Sequence, residues 1–277
     1  MQLPRAVQWV LKLCTGLTLL FLYLPLLVVA LYAFNDARVQ SWPPKGLTLH
    51  WFSDALDNPG ARDALWTSLQ VGLGATAIAL VLGSLAAYAL ARYDFFGKDA
   101  FSLLIILPIA LPGVVTGMAL NATFSQVLKT DLALWTVVVA HATFCIVLVF
   151  NNVAARLRRT SVTLEEAAGD LGASPWRGFR DVTFPQMRSA LIAGGLLAFA
   201  LSFDEVIVTT FTAGDQETLP IWILNNLSRP RNLPVVNVVA VAVILLSIIP
   251  VYVAQRLSSD PVGTPGGVKA AGVMPAP

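Results

Sequence analysis

Six apolar stretches, each of about twenty residues or more, leave few folds open to this sequence. They lie near residues 11–34, 65–91, 101–124, 134–154, 189–212 and 236–256. A helix crosses a ~30 Å hydrocarbon core in about 20 residues, so each stretch is long enough to span. The runs are continuous rather than alternating, which excludes a membrane β-barrel. Charged residues make up 12% of the chain, about half of the ~25% usual in soluble domains. The expected fold class is an all-α membrane protein with six transmembrane helices. Residues 1–256 are expected to form one transmembrane domain. Residues 257–277, rich in Gly, Pro and Ala, are expected to be a disordered tail with no assignable role.

The first stretch could be confused with a secretion signal, because Arg5 and Lys12 precede it. Its apolar run exceeds the roughly 7–15 residues of a signal core, and no small-x-small cleavage site follows, so a retained first helix is expected. Trp9, Trp66 and Trp135 fall near segment ends, where interfacial rings are common. With the N-terminus inside, twelve of the eighteen Lys and Arg residues fall in inner regions and six in outer ones. That bias predicts both termini on the cytoplasmic side. The net charge of +2 gives no reason to expect a nucleic-acid partner. Cys14 and Cys145 both sit in apolar stretches, and no metal-type cysteine spacing exists.

Two loops are predicted on the outer side. Residues 35–64 contain the turn signals Trp42-Pro43-Pro44 and Asn58-Pro59-Gly60, with a short surface helix expected at Trp51-Phe52. Residues 214–234 carry three prolines and are expected to fold over the mouth of the protein.

On the inner side, between the fourth and fifth stretches, lies a polar island, TLEEAAGDLGASPWRGFRDVTFP, from Thr163 to Pro185. Thr163 and Glu166 have the spacing of a capping box. Leu164, Ala167, Ala168 and Leu171 follow at helical spacing. Gly172 suits the left-handed position that ends a helix. Ser174 and Pro175 then read as the N-cap and first residue of a second short helix. A capped, bent, polar element outside the membrane is the expected docking surface for a second chain.

Some membrane residues are more than lipid-facing. In the third stretch Pro108 and Pro112 are four apart, and Gly113 and Gly117 extend the same face. Two readings stand: a bent helix lining a pathway, or a kinked helix packed through small residues. In the fifth stretch Asp204 and Glu205 sit among apolar residues. A carboxylate at bilayer depth costs a few kcal/mol, so it faces water or a partner and marks a site. The alternative places the pair near the outer end, solvated or paired with an arginine. Asp204 is the stronger candidate for drawing in a cation. His141 and Cys145 share one face of the fourth stretch, too few for a metal site, and His141 is expected to be a packed, hydrogen-bonded residue. Asn151 and Asn152 read as helix-packing polar groups.

A membrane enzyme would need a nucleophile with a base, paired acids or metal ligands at working spacing. Ser202 has no histidine nearby in sequence, His50 lies in an outer loop, and Glu165-Glu166 belong to the polar island. No catalytic residues and no metal site are therefore expected.

The island also carries a family pattern. Glu166-Ala167-Ala168, three residues, Gly172, nine residues, then Val182-x-Phe184-Pro185 resembles the E-A-A-x3-G-x9-I-x-L-P loop of ABC importer permeases. Val182 and Phe184 depart from it only by apolar exchange. The stretches LPLLVVALYAFND, GLTLHWFSDAL, LPIALPGVVTG, AHATFC and LSFDEVIVTTFTAG followed by LPIWI resemble the spermidine/putrescine permease group, the C/I-type subunit. The resemblance implies a type I ABC importer permease fold in a bacterial inner membrane. It implies a second homologous permease, in a heterodimer, two ATP-binding cassette ATPases and an external solute-binding protein. ATP and Mg would be bound by the ATPases, with no cofactor in this chain. Glu165, Glu166, Ala167, Ala168, Gly172 and Pro185 would then couple to the ATPase, and Pro112, Gly113, Asp204 and Glu205 would border the substrate pathway. Polyamine members of the group carry an acid in P-D-x-x-T-G, where this chain has Gly113. Other small solutes, amino-acid-like, opine-type or ferric, thus stay open. A passive channel or membrane scaffold is the alternative from another class, and the coupling loop argues against it.

Overall fold

A computed structural model describes residues 4–38, 40–229 and 232–258. Among these residues there are twelve α-helices: α1 (Arg5–Ala33), α2 (His50–Leu56), α3 (Pro59–Arg92), α4 (Lys98–Ala110), α5 (Gly113–Ala122), α6 (Leu134–Arg158), α7 (Thr163–Asp170), α8 (Pro175–Gly178), α9 (Phe184–Asp204), α10 (Ile207–Thr212), α11 (Leu219–Leu227) and α12 (Leu233–Ser258). Single π-helical turns extend α5 over Thr123–Val127 and join α8 to α9 over Phe179–Thr183. Among the described residues there is no strand, only an isolated bridge between Asn35 and Leu47.

The centre is a three-helix contact of α3, α6 and α9. Lipid tails are as apolar as these side chains, so close van der Waals packing must supply the association. The sequence provides it with small residues. Gly72, Ala75, Ala79, Gly83 and Ala87 of α3 are all buried and recur about once per turn. A Cβ added at Gly83 would stand 2.9 Å from the Ile146 carbonyl oxygen, and one at Gly194 3.2 Å from the Val149 Cα. Val147, Val149 and Val153 of α6 fill the remaining space and are fully enclosed. By contrast α1 buries only Ala33 among its described residues, and its leucines and Phe21 stay exposed, as fits a lipid-facing helix. It meets the rest through α12.

Among the described residues, four continuous helical stretches are long and apolar enough to cross a membrane: Arg5–Ala33, Pro59–Arg92, Leu134–Arg158 and Pro175–Asp204. The third apolar stretch behaves differently. It is two helices, α4 and α5, and the pair with its π turn bends by 105°. Pro108 is accommodated inside α4; the break falls at Leu111-Pro112. Leu111 is extended, with φ −83° and ψ 142°, as the residue before a proline prefers. Counted as one span, this pair makes a fifth; the described apolar part of α12, Leu233–Ile248, is shorter.

The fifth stretch also differs from a single span over 189–212. α9 ends at Asp204, Glu205 is extended, and α10 resumes at Ile207. The short helix expected at Trp51-Phe52 is α2, whose Trp51 is buried and donates to the Asn35 carbonyl at 2.9 Å. The loop over 214–234 holds α11, pinned where Ser68 Oγ of α3 accepts from the Leu219 N–H at 2.8 Å. The tail expected at 257–277 lies outside the described residues beyond Ser258.

Candidate functional site

Two regions carry the residues singled out by sequence. The first is the polar island. α7 starts one residue earlier in register than the capping box required. Val162 is the N-cap, and its carbonyl accepts from the Glu165 and Glu166 N–H groups at 2.9 and 3.1 Å. Thr163 is therefore the first helical residue and makes no capping box. Its hydroxyl and its N–H both pair with Ser161 Oγ, at 2.6 and 3.2 Å. Ser161 wins because it stands two residues ahead of a helical N–H, the geometry such short hydroxyl side chains favour.

The other end follows the expected chemistry. Gly172 has φ +84°. The Ala173 N–H reaches the Ala168 carbonyl at 2.9 Å and the Gly172 N–H reaches that of Gly169 at 2.8 Å, the paired bonds of a Schellman motif. Ser174 Oγ accepts from the Arg177 N–H at 3.4 Å and Pro175 begins α8. Glu166, Ala167 and Gly172 are exposed, Ala168 is half-buried, and Pro185 is exposed in the first turn of α9. Leu164, Leu171 and Trp176 are also exposed, Leu171 by 89%.

Glu165 plays a part that spacing gave no sign of. Its carboxylate accepts from Nε and Nη2 of Arg92, the last residue of α3, at 2.7–3.1 Å. The Arg92 side chain is only 8% exposed. A second tie runs from Tyr88 of α3 to Phe179, ring centres 5.5 Å apart, and Phe179 stacks on Trp176. Arg156 of α6 donates to the Gln186 carbonyl at 2.9 Å. The island is thus fastened to the ends of α3, α6 and α9 while its apolar face is left open.

The second region is where the two broken stretches meet. α10 lies along α5. A Cβ at Gly117 would stand 2.7 Å from the Phe211 ring, and one at Gly113 3.6 Å from Ile207. Asn121 Nδ2 donates to the Phe211 carbonyl at 2.6 Å. Gly113 and Glu205, 92 positions apart in sequence, are thus brought to neighbouring elements. The two acids separate in role. Asp204 is exposed at the end of α9. Glu205 is half-buried, and its Oε1 accepts from the Val208 N–H at 3.0 Å, capping α10. Pro112 is exposed and Gly113 half-buried.

His141 is packed and hydrogen-bonded, to Ser202 Oγ through Nδ1 at 2.8 Å and to Thr209 Oγ1 through Nε2 at 2.9 Å. The histidine absent from the neighbourhood of Ser202 in sequence is supplied by α6 in space. The pair still lacks the makings of a nucleophile. Both residues are buried, and the far nitrogen meets a hydroxyl where a carboxylate would be needed to orient the base. Cys145 is buried one turn on and points its thiol to the Ala198 carbonyl at 3.3 Å.

The geometry is that of a helical membrane domain with two broken apolar stretches and an exposed polar loop. The family described as "Binding-protein-dependent transport system inner membrane component" matches residues 79–260. The chain belongs to that family. It is 33% identical over 232 residues to the putrescine transport system permease protein PotI of Escherichia coli (strain K12), covering 81% of this chain and 82% of that protein. It is 33% identical over 252 residues to the spermidine/putrescine transport system permease protein PotC of the same organism, covering 90% and 94%. A chain in the crystal structure of a bacterial ABC transporter involved in the import of the acidic polysaccharide alginate superposes with a TM-score of 0.73 at 17% identity, over 92% of this chain and 99% of that one. The fold is that of type I ABC importer permeases. The protein is a multi-pass membrane permease subunit of an ABC importer, and not an enzyme.

Proposed function

We propose that this chain carries a polyamine inward across a bacterial inner membrane by alternating access. Its partners are a second, homologous permease in a heterodimer, two cytoplasmic ATPases that bind ATP and Mg, and an external solute-binding protein. The chain crosses six times with both termini inside. The observation that carries the substrate class is the 33% identity to two permeases named for putrescine and spermidine over more than four-fifths of the chain.

The coupling role falls to Glu165, Glu166, Ala167, Ala168, Gly172 and Pro185. α7 is short, closed at its C-terminal end by the Gly172 turn, and exposes Leu164 and Leu171 beyond the apolar stretches. Exposed apolar groups on a rigid element suit a groove in a partner. Closure of the ATPases would push α7 and α8, and the π turn at Phe179–Thr183 would pass that push into α9 at Pro185. Asp204 supplies an exposed negative charge near the junction of α9, α10 and α5, where an ammonium group can pair with it.

Gly113 favours a second reading. It stands where polyamine members place an acid, so the same machinery could serve another small solute, amino-acid-like, opine-type or ferric. Proteoliposomes holding the complete complex decide the matter. Uptake of labelled putrescine or spermidine, dependent on ATP and on the binding protein, is expected. Uptake of amino acids or ferric ion with polyamines excluded would overturn the substrate assignment.

A further inference from the structure

The fifth span is severed where its backbone ladder stops at Asp204 and resumes at Ile207. A break at membrane depth leaves polar backbone groups that protein must satisfy. Glu205 caps α10 through the Val208 N–H, and Thr209 Oγ1 donates to the Glu205 carbonyl at 2.7 Å. These contacts close the break locally, but none of them reaches back to α9.

His141 does. Thr209 has one hydroxyl proton, and the Glu205 carbonyl takes it. Thr209 Oγ1 must therefore accept from His141, which places the ring proton on Nε2. Nδ1 is then a bare acceptor, and the Ser202 hydroxyl donates to it. This tautomer is assigned from the network. Ser202 lies in the last turn of α9, and Thr209 in the first turn of α10. One imidazole on α6 thus holds both sides of the gap, and all three side chains are at most 3% exposed. α6 touches α10 again at Thr136, whose single hydroxyl proton is shared between the Ala133 carbonyl at 2.6 Å and the Thr212 carbonyl at 2.7 Å.

We propose that His141 is a positioning residue that clasps α9 and α10 across the break, so that movement entering α9 reaches α10 and α5. The inference rests on the transport reading above. Without the clasp, α9 could turn while α10 stayed seated on α5, and ATP would be spent without opening the pathway. Packing alone would make no distinction between a hydroxyl and a methyl at position 209; the clasp does, and so does the local bond from Thr209 to the Glu205 carbonyl, which a change at His141 or Ser202 leaves in place.

The test compares Thr209→Val, which keeps shape and removes the hydroxyl, with Thr209→Ser, which keeps the hydroxyl. Each is reconstituted with its ATPases and loaded binding protein, and solute moved per ATP hydrolysed is measured. Loss of one buried partner leaves its mate unsatisfied, so Thr209→Val should lower that ratio roughly tenfold while the complex still assembles. Thr209→Ser should stay within about twofold of the parent. His141→Phe should fall as far as Thr209→Val, and adding Ser202→Ala to it should cost nothing more. An unchanged ratio in Thr209→Val, or equal losses in Thr209→Val and Thr209→Ser, overturns the clasp. Ser202→Ala removes the α9 end of the clasp and leaves the Thr209 to Glu205 bond in place, so it should fall as far as Thr209→Val; an unchanged ratio in Ser202→Ala overturns the clasp even if His141→Phe fails to assemble. Absence of binding-protein-dependent uptake by the unaltered chain would instead bring down the transport reading, and the clasp with it.

Discussion

Arg92 and Glu165, 73 residues apart, meet in a two-pronged ion pair at the junction of α3 and α7, with Arg92 Nη2 2.7 Å from Glu165 Oε1. The arginine ends a core helix and the glutamate sits on the exposed loop. The pair ties the loop to α3 of the α3–α6–α9 core. Side-chain hydrogen bonds to a charged group contribute ~1.5–3 kcal/mol, and removing one partner leaves an enclosed guanidinium unpaired.

Arg92→Ala and Glu165→Gln are therefore expected to weaken coupling, with binding-protein-stimulated uptake falling about tenfold. The exchanged pair Arg92→Glu with Glu165→Arg should recover part of it. The check is uptake and ATP hydrolysis measured on the same proteoliposomes. Equal activity in all four proteins would show that the pair only decorates the loop.

Gly172 offers a backbone test. Its φ of +84° costs most L-residues about 1–2 kcal/mol, whereas Asn visits the region readily. No neighbour stands within 4 Å of an added Cβ, so only backbone preference discriminates. Gly172→Asn should keep most transport, and Gly172→Val should lose it while inserting normally. Co-purification of the ATPase with each variant reports whether that contact depends on the turn.

At Gly83 the limit is space. A side chain would press on the Ile146 carbonyl and the Val149 Cβ, at 2.9 and 3.0 Å. Gly83→Val should destabilise the α3–α6 contact by ~1–3 kcal/mol, the usual cost of overpacking. Gly169→Ala, in open space within α7, should cost nothing and can stabilise by up to ~1 kcal/mol. Thermal melts of the detergent-solubilised complex should separate the two.

The two acids should part company. Asp204→Asn removes an exposed charge and should raise the KM for a cationic solute with little change in stability. Glu205→Ala removes the cap of α10 and should lower stability by ~1 kcal/mol. Uptake kinetics paired with melting curves for both variants provide the measurement; a shared effect on KM alone would contradict the division.

The apolar stretches, the α7–Gly172–α8 turn and a bend in the third stretch are legible in sequence because each follows from local chemistry, although spacing does not tell that Pro112 breaks the helix while Pro108 is accommodated in it. Length, a left-handed glycine and a missing N–H act within a few residues. The break after Asp204 was not, because SFDEVIV contains neither proline nor glycine. There the helix yields to a capping carboxylate and to a histidine from another helix, and periodicity carries no trace of either. Glu165 belongs by sequence to the expected coupling surface of the loop, yet its partner lies 73 residues upstream, out of reach of any spacing argument. The capping box at Thr163 slipped by one residue because Ser161 and Thr163 offer competing hydroxyls.

The notch at Gly117 has a kinematic consequence. Phe211 fills it, and Asn121 holds the Phe211 carbonyl one turn further along. The ring opposes sliding of α10 along α5, and the amide opposes rolling. Two helices drawn from different halves of the sequence therefore share their degrees of freedom. The moving parts of this permease are fewer than its helices, and a crosslink between α5 and α10 should leave the transport cycle free to turn.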